Sequence, residues 1–497
     1  MTDASGEAPR DPALGARAAR GAAVTTGAQV ARIGIQVASV VVLARLLTPH
    51  DYGLIAMVVA VIGVGEVLRD FGLSSAAIQA PELSVEQRDN LFWINTGIGT
   101  ALALTVFLCA GPLALAYHQP ELVPISRALA VTFLFNGVAT QYRADLTRRL
   151  KFTRLAIADV AAPAVALTAA ITAGLLGWGY WALVAQQLTM AGVLLLLLVG
   201  GARWLPGLPK RGVPLRDFLR FGGNLVGAQL VGYLSNNVDS VVIGVRFGAA
   251  PLGVYTRAYQ LLMTPLNQLR SPLTAVALPV LSRITADVRR FGDFVCKGQL
   301  VLGYTLVTGL GLVASAPEPI TAIFLGPQWL AAAPILRLFA MAGIFQILAF
   351  VGYWVYIARG LTGDLFRYSF VSAAIKIACI LAGSAWGVIG IAIAYAIAPA
   401  LSWPISLWWL SRRAELPIGR LYAGAGRILG LVTVAATVAA LASAPLAPLG
   451  PWFQLGGAVV VGLAVYLLAA LLLRPVRRDL ATVVRMVKLI PAHRGVG

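Results

Sequence analysis

Apolar runs of roughly twenty residues, broken by short polar loops, recur along the whole chain. By length and pattern they predict about fourteen membrane-crossing helices. These lie near 23–47, 53–70, 91–116, 122–143, 155–176, 180–202, 218–246, 252–273, 294–315, 331–357, 366–384, 387–410, 423–444 and 452–473. The loops between them alternate in charge. One set carries Arg143, Arg148, Arg149, Lys151 and Arg154, then Arg203, Lys210, Arg211, Arg216 and Arg220, and continues through Arg283, Arg289, Arg290, Lys297, Arg359, Arg367, Arg412, Arg413 and Arg420 to a basic C-terminal tail. The intervening stretches 115–126, 175–180, 316–330, 384–390 and 444–455 hold no Lys or Arg. The positive-inside rule then puts both termini in the cytoplasm, which requires an even number of spans.

The pattern also repeats. Gly27–Gln29 read GAQ, Ser39–Arg45 read SVVVLAR, and a turn follows through Pro49 to Gly53; Gly227–Gln229 read GAQ, Ser240–Arg246 read SVVIGVR, and a turn ends at Gly253. The first copy runs to Leu68 and Arg69, the second to Leu269 and Arg270. Further on, Pro124, Ile125, Arg127 and Phe135 recur as Pro334, Ile335, Arg337 and Phe345. Six spans per copy is an even number, so the second copy keeps the orientation of the first: a parallel repeat about an axis along the membrane normal. The expected organisation is a cytoplasmic tail (1–21), an N-lobe (22–202), a cytoplasmic linker (203–217), a C-lobe (218–411), two appended spans (412–473) and a basic tail (474–497).

Composition agrees with this reading. The chain of 497 residues is 59% hydrophobic and 12% charged, against about 25% charged for a soluble domain, and its mean hydropathy is +0.82. The net charge of +19 sits in the short loops, so it marks orientation and not nucleic-acid binding. Cys109, Cys296 and Cys379 have no metal or disulfide spacing, and the three histidines (His50, His118, His493) form no triad. No phosphate-binding loop occurs. No catalytic residue, metal or cofactor is assigned. The stretch before Gly21 lacks an apolar core with a cleavage site and predicts a short disordered tail, not a signal peptide.

Charges inside spans need a reason, because each costs about 2.5–3.5 kcal/mol near the bilayer centre. Gln29, Arg32, Gln36 and Ser39 share one face of the first span; Gln229, Asn236, Asp239 and Ser240 lie on a similar stripe of the seventh; Arg257, Gln260, Thr264 and Asn267 on the eighth. The functional reading is a cationic central cavity for an anionic headgroup, since guanidinium binds phosphate oxygens bidentately and keeps its charge. The structural reading is hydrogen-bonded lobe packing with internal ion pairs. Arg45 and Arg246 suit snorkelling anchors at the outer interface, Arg127 and Arg337 an interfacial or portal role, and Lys376 and Asp159 packing. Tryptophans near span ends, such as Trp178, Trp329 and Trp452, form an aromatic belt. The stretches 69–90 and 270–294 read equally as amphipathic interfacial segments or as plain loops.

LARLLTPHDYGL from Leu43 and FGLSSAAIQ from Phe71, with RFGGN, NNVDSVVIG and GVYTRAYQL in the second copy, resemble the polysaccharide-transporter branch of the multidrug/oligosaccharidyl-lipid/polysaccharide flippase superfamily. The likeness is nearest to lipopolysaccharide and exopolysaccharide biosynthesis flippases and covers essentially the whole chain. It implies an all-α polytopic protein of the bacterial inner membrane that flips an undecaprenyl-pyrophosphate-linked oligosaccharide by alternating access. Membrane lipids and the polymerase and export machinery are the further partners it implies. Related flippases of peptidoglycan precursors use a cationic cavity and a lipid groove built from two extra C-terminal helices, with which spans 13 and 14 are compatible. On this reading Arg32 and Arg257 hold the pyrophosphate, Gln36, Asn236, Tyr259 and Gln260 line the cavity with hydrogen-bonding groups, and Asp239 is the candidate for the coupling ion. The alternatives are a cation-coupled multidrug antiporter and a membrane-bound oligosaccharide polymerase or ligase. A cationic cavity disfavours the first, and the want of a site constellation in the outward loops disfavours the second.

Overall fold

The structure, a computed structural model, describes residues 12–70, 83–212 and 216–489, excluding the side chains of 12–23, 25, 26, 70, 216–228, 271 and 487–489. The FGLSSAAIQ stretch, the side chains of RFGGN and most of the expected N-terminal tail therefore lie outside the described residues. The regular elements are helical: α1 (Pro12–Leu46), α2 (Pro49–Asp70), α3 (Val85–Tyr117), α4 (Leu122–Arg148), α5 (Phe152–Leu175), α6 (Trp181–Ala202), α7 (Arg216–Phe247) and α8 (Ala249–Gln268). Then come α9 (Arg270–Arg283), α10 (Val288–Leu302), a π turn (Gly303–Val307), α11 (Thr308–Ser315), α12 (Pro317–Phe324), α13 (Ala333–Ala358), α14 (Thr362–Gly383), α15 (Gly387–Ser411), α16 (Ile418–Ser443), α17 (Pro451–Leu472) and α18 (Arg474–Leu489). Each predicted span falls on one or more of these helices. Among the described residues, eleven helical segments are long and apolar enough to cross a membrane, and one of them, Thr362–Ser411, contains both α14 and α15. The chain is an all-α polytopic membrane protein, as the periodicity predicts. Of the two stretches read as segment or loop, 270–283 is a helix.

Two compact units divide the chain, Met1–Ala250 and Pro251–Gly497. In the first, small residues set the helix spacing. Lipid tails are as apolar as Leu, so helices in a bilayer associate by close packing. The stripe Ala158, Ala162, Ala166, Ala170 and Ala173 of α5 is buried, and α5 packs on α1 and α6. Where α3 meets α4, Gly99 faces Gly137, and a Cβ on Gly99 would lie 2.6 Å from the Phe133 carbonyl oxygen. Helix α7 packs on α2: the Tyr233 hydroxyl donates to the Val59 and Ala60 carbonyls at 3.1 and 3.2 Å. Gly63 is the residue that leaves room for it, since a Cβ there would sit 1.9 Å from the same hydroxyl.

Helix α3 starts with a capping box. Ser84 Oγ accepts from the Gln87 amide (3.1 Å) while Gln87 Oε1 accepts from the Ser84 amide (3.0 Å). The next turns hold down part of the linker. Asp89 Oδ2 accepts from the Gly207 amide (3.0 Å), Trp93 Nε1 donates to the Gly207 carbonyl (2.8 Å), and Asn90 both accepts from the Lys210 amide (2.9 Å) and donates to its carbonyl (2.7 Å). Arg88 lies 4.0 Å over the Trp204 ring.

In the second unit α13 runs through the centre, with Ile335, Leu336, Phe339, Ile347, Val351 and Val355 among its buried residues. Phe339 stacks edge-on against Tyr255, Tyr259 and Tyr395 at 5.0, 5.6 and 5.1 Å. Helices α14 and α15 form a tight hairpin through Gly383 and Gly390, whose backbones leave no space for a Cβ.

Candidate functional site

Each unit places an arginine, at or beside the end of a repeat helix, in hydrogen-bonding contact with a polar residue of a later helix, Asn136 of α4 in the first and Gln346 of α13 in the second. In the first, Arg69 near the end of α2 donates from Nη1 to the Asn136 carbonyl (3.2 Å) and to Thr140 Oγ1 on α4. Its Nε donates to Glu66 Oε2 at 2.9 Å, and Asn136 Nδ2 donates to Glu66 Oε1 at 3.0 Å. Glu66 and Asn136 face a small cavity of about 240 Å³, also lined by Thr132, Gln187 and Met190. The guanidinium here is neutralised by its own helix.

In the second unit, Arg270 at the start of α9 donates from Nη2 to Gln346 Oε1 of α13 (2.7 Å) and lies 5.8 Å over the Phe350 ring. The sequence repeat matches these residues: Arg69 pairs with Arg270, and Asn136 and Gln346 directly follow the matched Phe135 and Phe345. Glu66, three residues before Arg69, has Asn267 in its place three residues before Arg270. The carboxylate is replaced by an amide, and among the described residues no carboxylate pairs with this guanidinium beside its pocket.

That pocket encloses about 740 Å³, within the range of small-molecule sites. Its walls come from α9, α13, α14 and α15. Arg270 and Gln346 stand on one side, and Tyr353, Tyr356, Tyr368, Ser372, Ser402 and Ser406 supply phenol rings and hydroxyls. Tyr356 stacks on Tyr368 (5.9 Å, 16°) and Phe350 on Tyr353 (5.9 Å, 4°). Tyr368 donates to the Ser402 carbonyl (3.1 Å), and the Ser372 hydroxyl lies 3.3 Å from that of Ser402. No Asp or Glu among the described residues lines the pocket. The combination of one cation, aromatic faces and hydroxyls suits an anionic or polyhydroxylated ligand and is unfavourable to a cation.

The sequence-selected residues occupy other positions. In the first unit Arg32 and Asn236 are exposed, Gln36 is half-buried, and Asp239 is 2% exposed with its Oδ1 accepting from the Ser240 amide at 3.0 Å. In the second, Arg257 is 3% exposed and donates from Nη1 to the exposed Gln260 (2.8 Å), while the half-buried Tyr259 accepts from Asn267 Nδ2 (3.4 Å). The structure thus joins Arg257 to Gln260 on one helix face, as the i, i+3 spacing predicts. Asp159 pairs with Arg143, and Lys376 lies 4.9 Å from the Tyr395 ring centre. Glu66, Arg69, Arg270, Gln346 and the tyrosine–serine wall are the polar groups that helical periodicity did not single out. The signal for four of them was present as matched polar positions in the two repeat copies. The wall carries no such mark, because Tyr and Ser fit equally well into any packed helix face.

These features define a polytopic membrane protein with a polar, cationic pocket inside its helices. Residues 42–334 match the family described as polysaccharide biosynthesis protein, and the chain belongs to that family. It is 26% identical over 328 residues to the lipopolysaccharide biosynthesis protein WzxC of Escherichia coli (strain K12), covering 64% of this chain and 65% of that protein. It is 25% identical over 309 residues to the succinoglycan biosynthesis transport protein ExoT of Rhizobium meliloti (strain 1021), covering 62% and 63%. The chain therefore spans slightly less than two thirds of the length of these relatives. The solved structure of the lipid II flippase MurJ in an inward closed conformation superposes with a TM-score of 0.68 at 15% identity, over 89% of this chain and 97% of that one. That likeness establishes a shared fold. The resemblance read from the motifs is borne out at the level of the family.

Proposed function

We propose that this protein is a flippase, not an enzyme, and that it moves an undecaprenyl-pyrophosphate-linked oligosaccharide across the bacterial inner membrane by alternating access. The single observation that carries the reading is the pocket of the second unit, where Arg270 faces hydroxyls and aromatic rings and no lining carboxylate. An anionic headgroup gains a charge-assisted hydrogen bond there, and sugar rings find faces and hydroxyls to pack and bond against. Family membership and the names of WzxC and ExoT support a role in building a surface polysaccharide. Arg32 and Arg257 serve as further cationic groups on the path, with Gln36, Asn236, Tyr259 and Gln260 as hydrogen-bonding groups. Asp239 is the coupling-ion candidate from the span pattern, and Glu66 joins it because it faces a cavity. The two lobes expected from the repeat, 22–202 and 218–411, supply the rocking bodies, both termini lie in the cytoplasm, and the polymerase and export machinery take the product onward.

The test is reconstitution in vesicles with a fluorescent polyprenyl-diphosphate oligosaccharide and an impermeant reagent that reads which leaflet holds it. The wild-type chain exchanges the lipid between leaflets. Arg270→Gln removes a hydrogen bond to a charged group worth about 1.5–3 kcal/mol, so exchange falls roughly tenfold or more at equal protein incorporation. A wild-type chain that leaves the labelled lipid in one leaflet would sink the proposal.

A further inference from the structure

Helix α18 follows α17 after one residue, Leu473, with extended backbone (φ −100°, ψ 104°). The span it follows is lipid-facing: Leu463, Leu467, Leu468, Leu471 and Leu472 are all exposed. Within α18 the two faces separate cleanly. Val476, Asp479 and Val483, spaced i, i+3, i+7, are buried, whereas Arg474, Arg477, Arg478 and Arg485 are exposed on the opposite side. Among the described residues no carboxylate pairs with any of these arginines.

The rotation of the helix is set by a polar clamp. Asp479 accepts from Arg427 Nε (2.8 Å) and Nη2 (3.2 Å) of α16, and from the Tyr304 hydroxyl of the π turn (3.2 Å). Arg427 and Tyr304 both belong to candidate spans, Ile418–Leu449 and Val288–Ser315. Asp479 therefore holds α18 against the flank of these two spans, close to where α17 ends. The clamp turns the arginine stripe away from the protein.

We propose that α18 is a docking helix for the anionic phospholipid headgroups of the leaflet beside it. Guanidinium forks match phosphate oxygens, and basic residues immediately beyond a span gather anionic lipid by charge complementarity. The stripe is an open row on a convex helix, which suits the many headgroups of a bilayer surface better than one enclosed ligand. The exposed Leu473 and Val484 add apolar contact with the same layer. This inference rests on the membrane-spanning fold and is independent of what the protein transports.

The experiment uses the full chain purified in a neutral detergent, with the thermal midpoint followed as phosphatidylglycerol or phosphatidylcholine is added. Phosphatidylglycerol raises the midpoint, phosphatidylcholine does not, and high salt removes the effect by screening. The variant R474Q/R477Q/R478Q/R485Q, monodisperse on size exclusion, loses the rise, and the matching variant with Lys at all of these positions keeps it. A rise of the same size in the Gln variant overturns the proposal. So does a response confined to a polyprenyl phosphate, which would make the stripe a substrate contact. A failure of lipid exchange in the vesicle assay would leave this readout untouched, so the two proposals fail separately.

Discussion

Arg69 and Arg270 hold matched places in the repeat, yet only one of them has a carboxylate beside it. Glu66 bonds Arg69 from three residues back on the same helix, so the pair carries little net field into its cavity. Asn267 stands at the matching position before Arg270 and donates instead to the Tyr259 hydroxyl. One side chain thus decides which of two equivalent guanidiniums is available to an anion. Asn267→Glu should place a carboxylate next to Arg270 as Glu66 stands next to Arg69 and quench the pocket. Lipid exchange is expected to fall about as far as in Arg270→Gln while the protein reaches the membrane at wild-type level, since a nearby opposite charge offsets the guanidinium without unfolding a helix. Full exchange by that variant in the vesicle assay would refute the role given to Arg270.

Among the elements, close packing and straps fix what can move. The contact of α3 with α4 depends on Gly99 and Gly137, where each lacks the Cβ that the other's backbone would meet. Gly99→Ala forces the helices apart and should cost about 1–3 kcal/mol. A lower thermal midpoint of the solubilised protein is the readout, and an unchanged midpoint would show that the helices can slide to absorb the methyl group. The linker shows a second device. Its residues 203–210 have no regular structure, yet Asp89, Asn90 and Trp93 bond their backbone at Gly207 and Lys210. A segment whose composition reads as a flexible loop is tied to α3, because side-chain groups satisfy the backbone polar atoms that no helix or sheet takes up.

For the whole molecule, the proposed function makes charge the property that separates substrate from non-substrate. The pocket of the second unit presents a cation and hydroxyls, so an anionic lipid-linked sugar should be carried and a lipophilic cation should not. In proteoliposomes the chain is expected to exchange the labelled polyprenyl-diphosphate oligosaccharide while leaving a cationic dye gradient unaltered. Efficient dye efflux with no lipid exchange would favour the multidrug antiporter that the sequence left as an alternative. Excess unlabelled lipid-linked oligosaccharide should compete for exchange, and the competition should weaken in Arg270→Gln.

Hydrophobic periodicity by itself determined that this is an all-α membrane protein and where its helices run, because a bilayer demands about twenty apolar residues per crossing and leaves backbone groups no partner but each other. Local motifs carried the family, and the repeated segments marked Arg69 and Arg270 as equivalent. Spacing along single helices also joined Arg257 with Gln260, since i and i+3 share a face. The tertiary structure alone decided that Asn136 and Thr140 of α4 hold the Glu66–Arg69 pair, that Gln346 and Phe350 hold Arg270 at a pocket walled by Tyr356, Tyr368 and Ser402, and that the basic tail includes a helix clamped through Asp479. These contacts join residues far apart in the chain. A helix face that meets another helix, a cavity or lipid can have the same composition in each case, so only packing shows which charge is paired and which remains for a ligand.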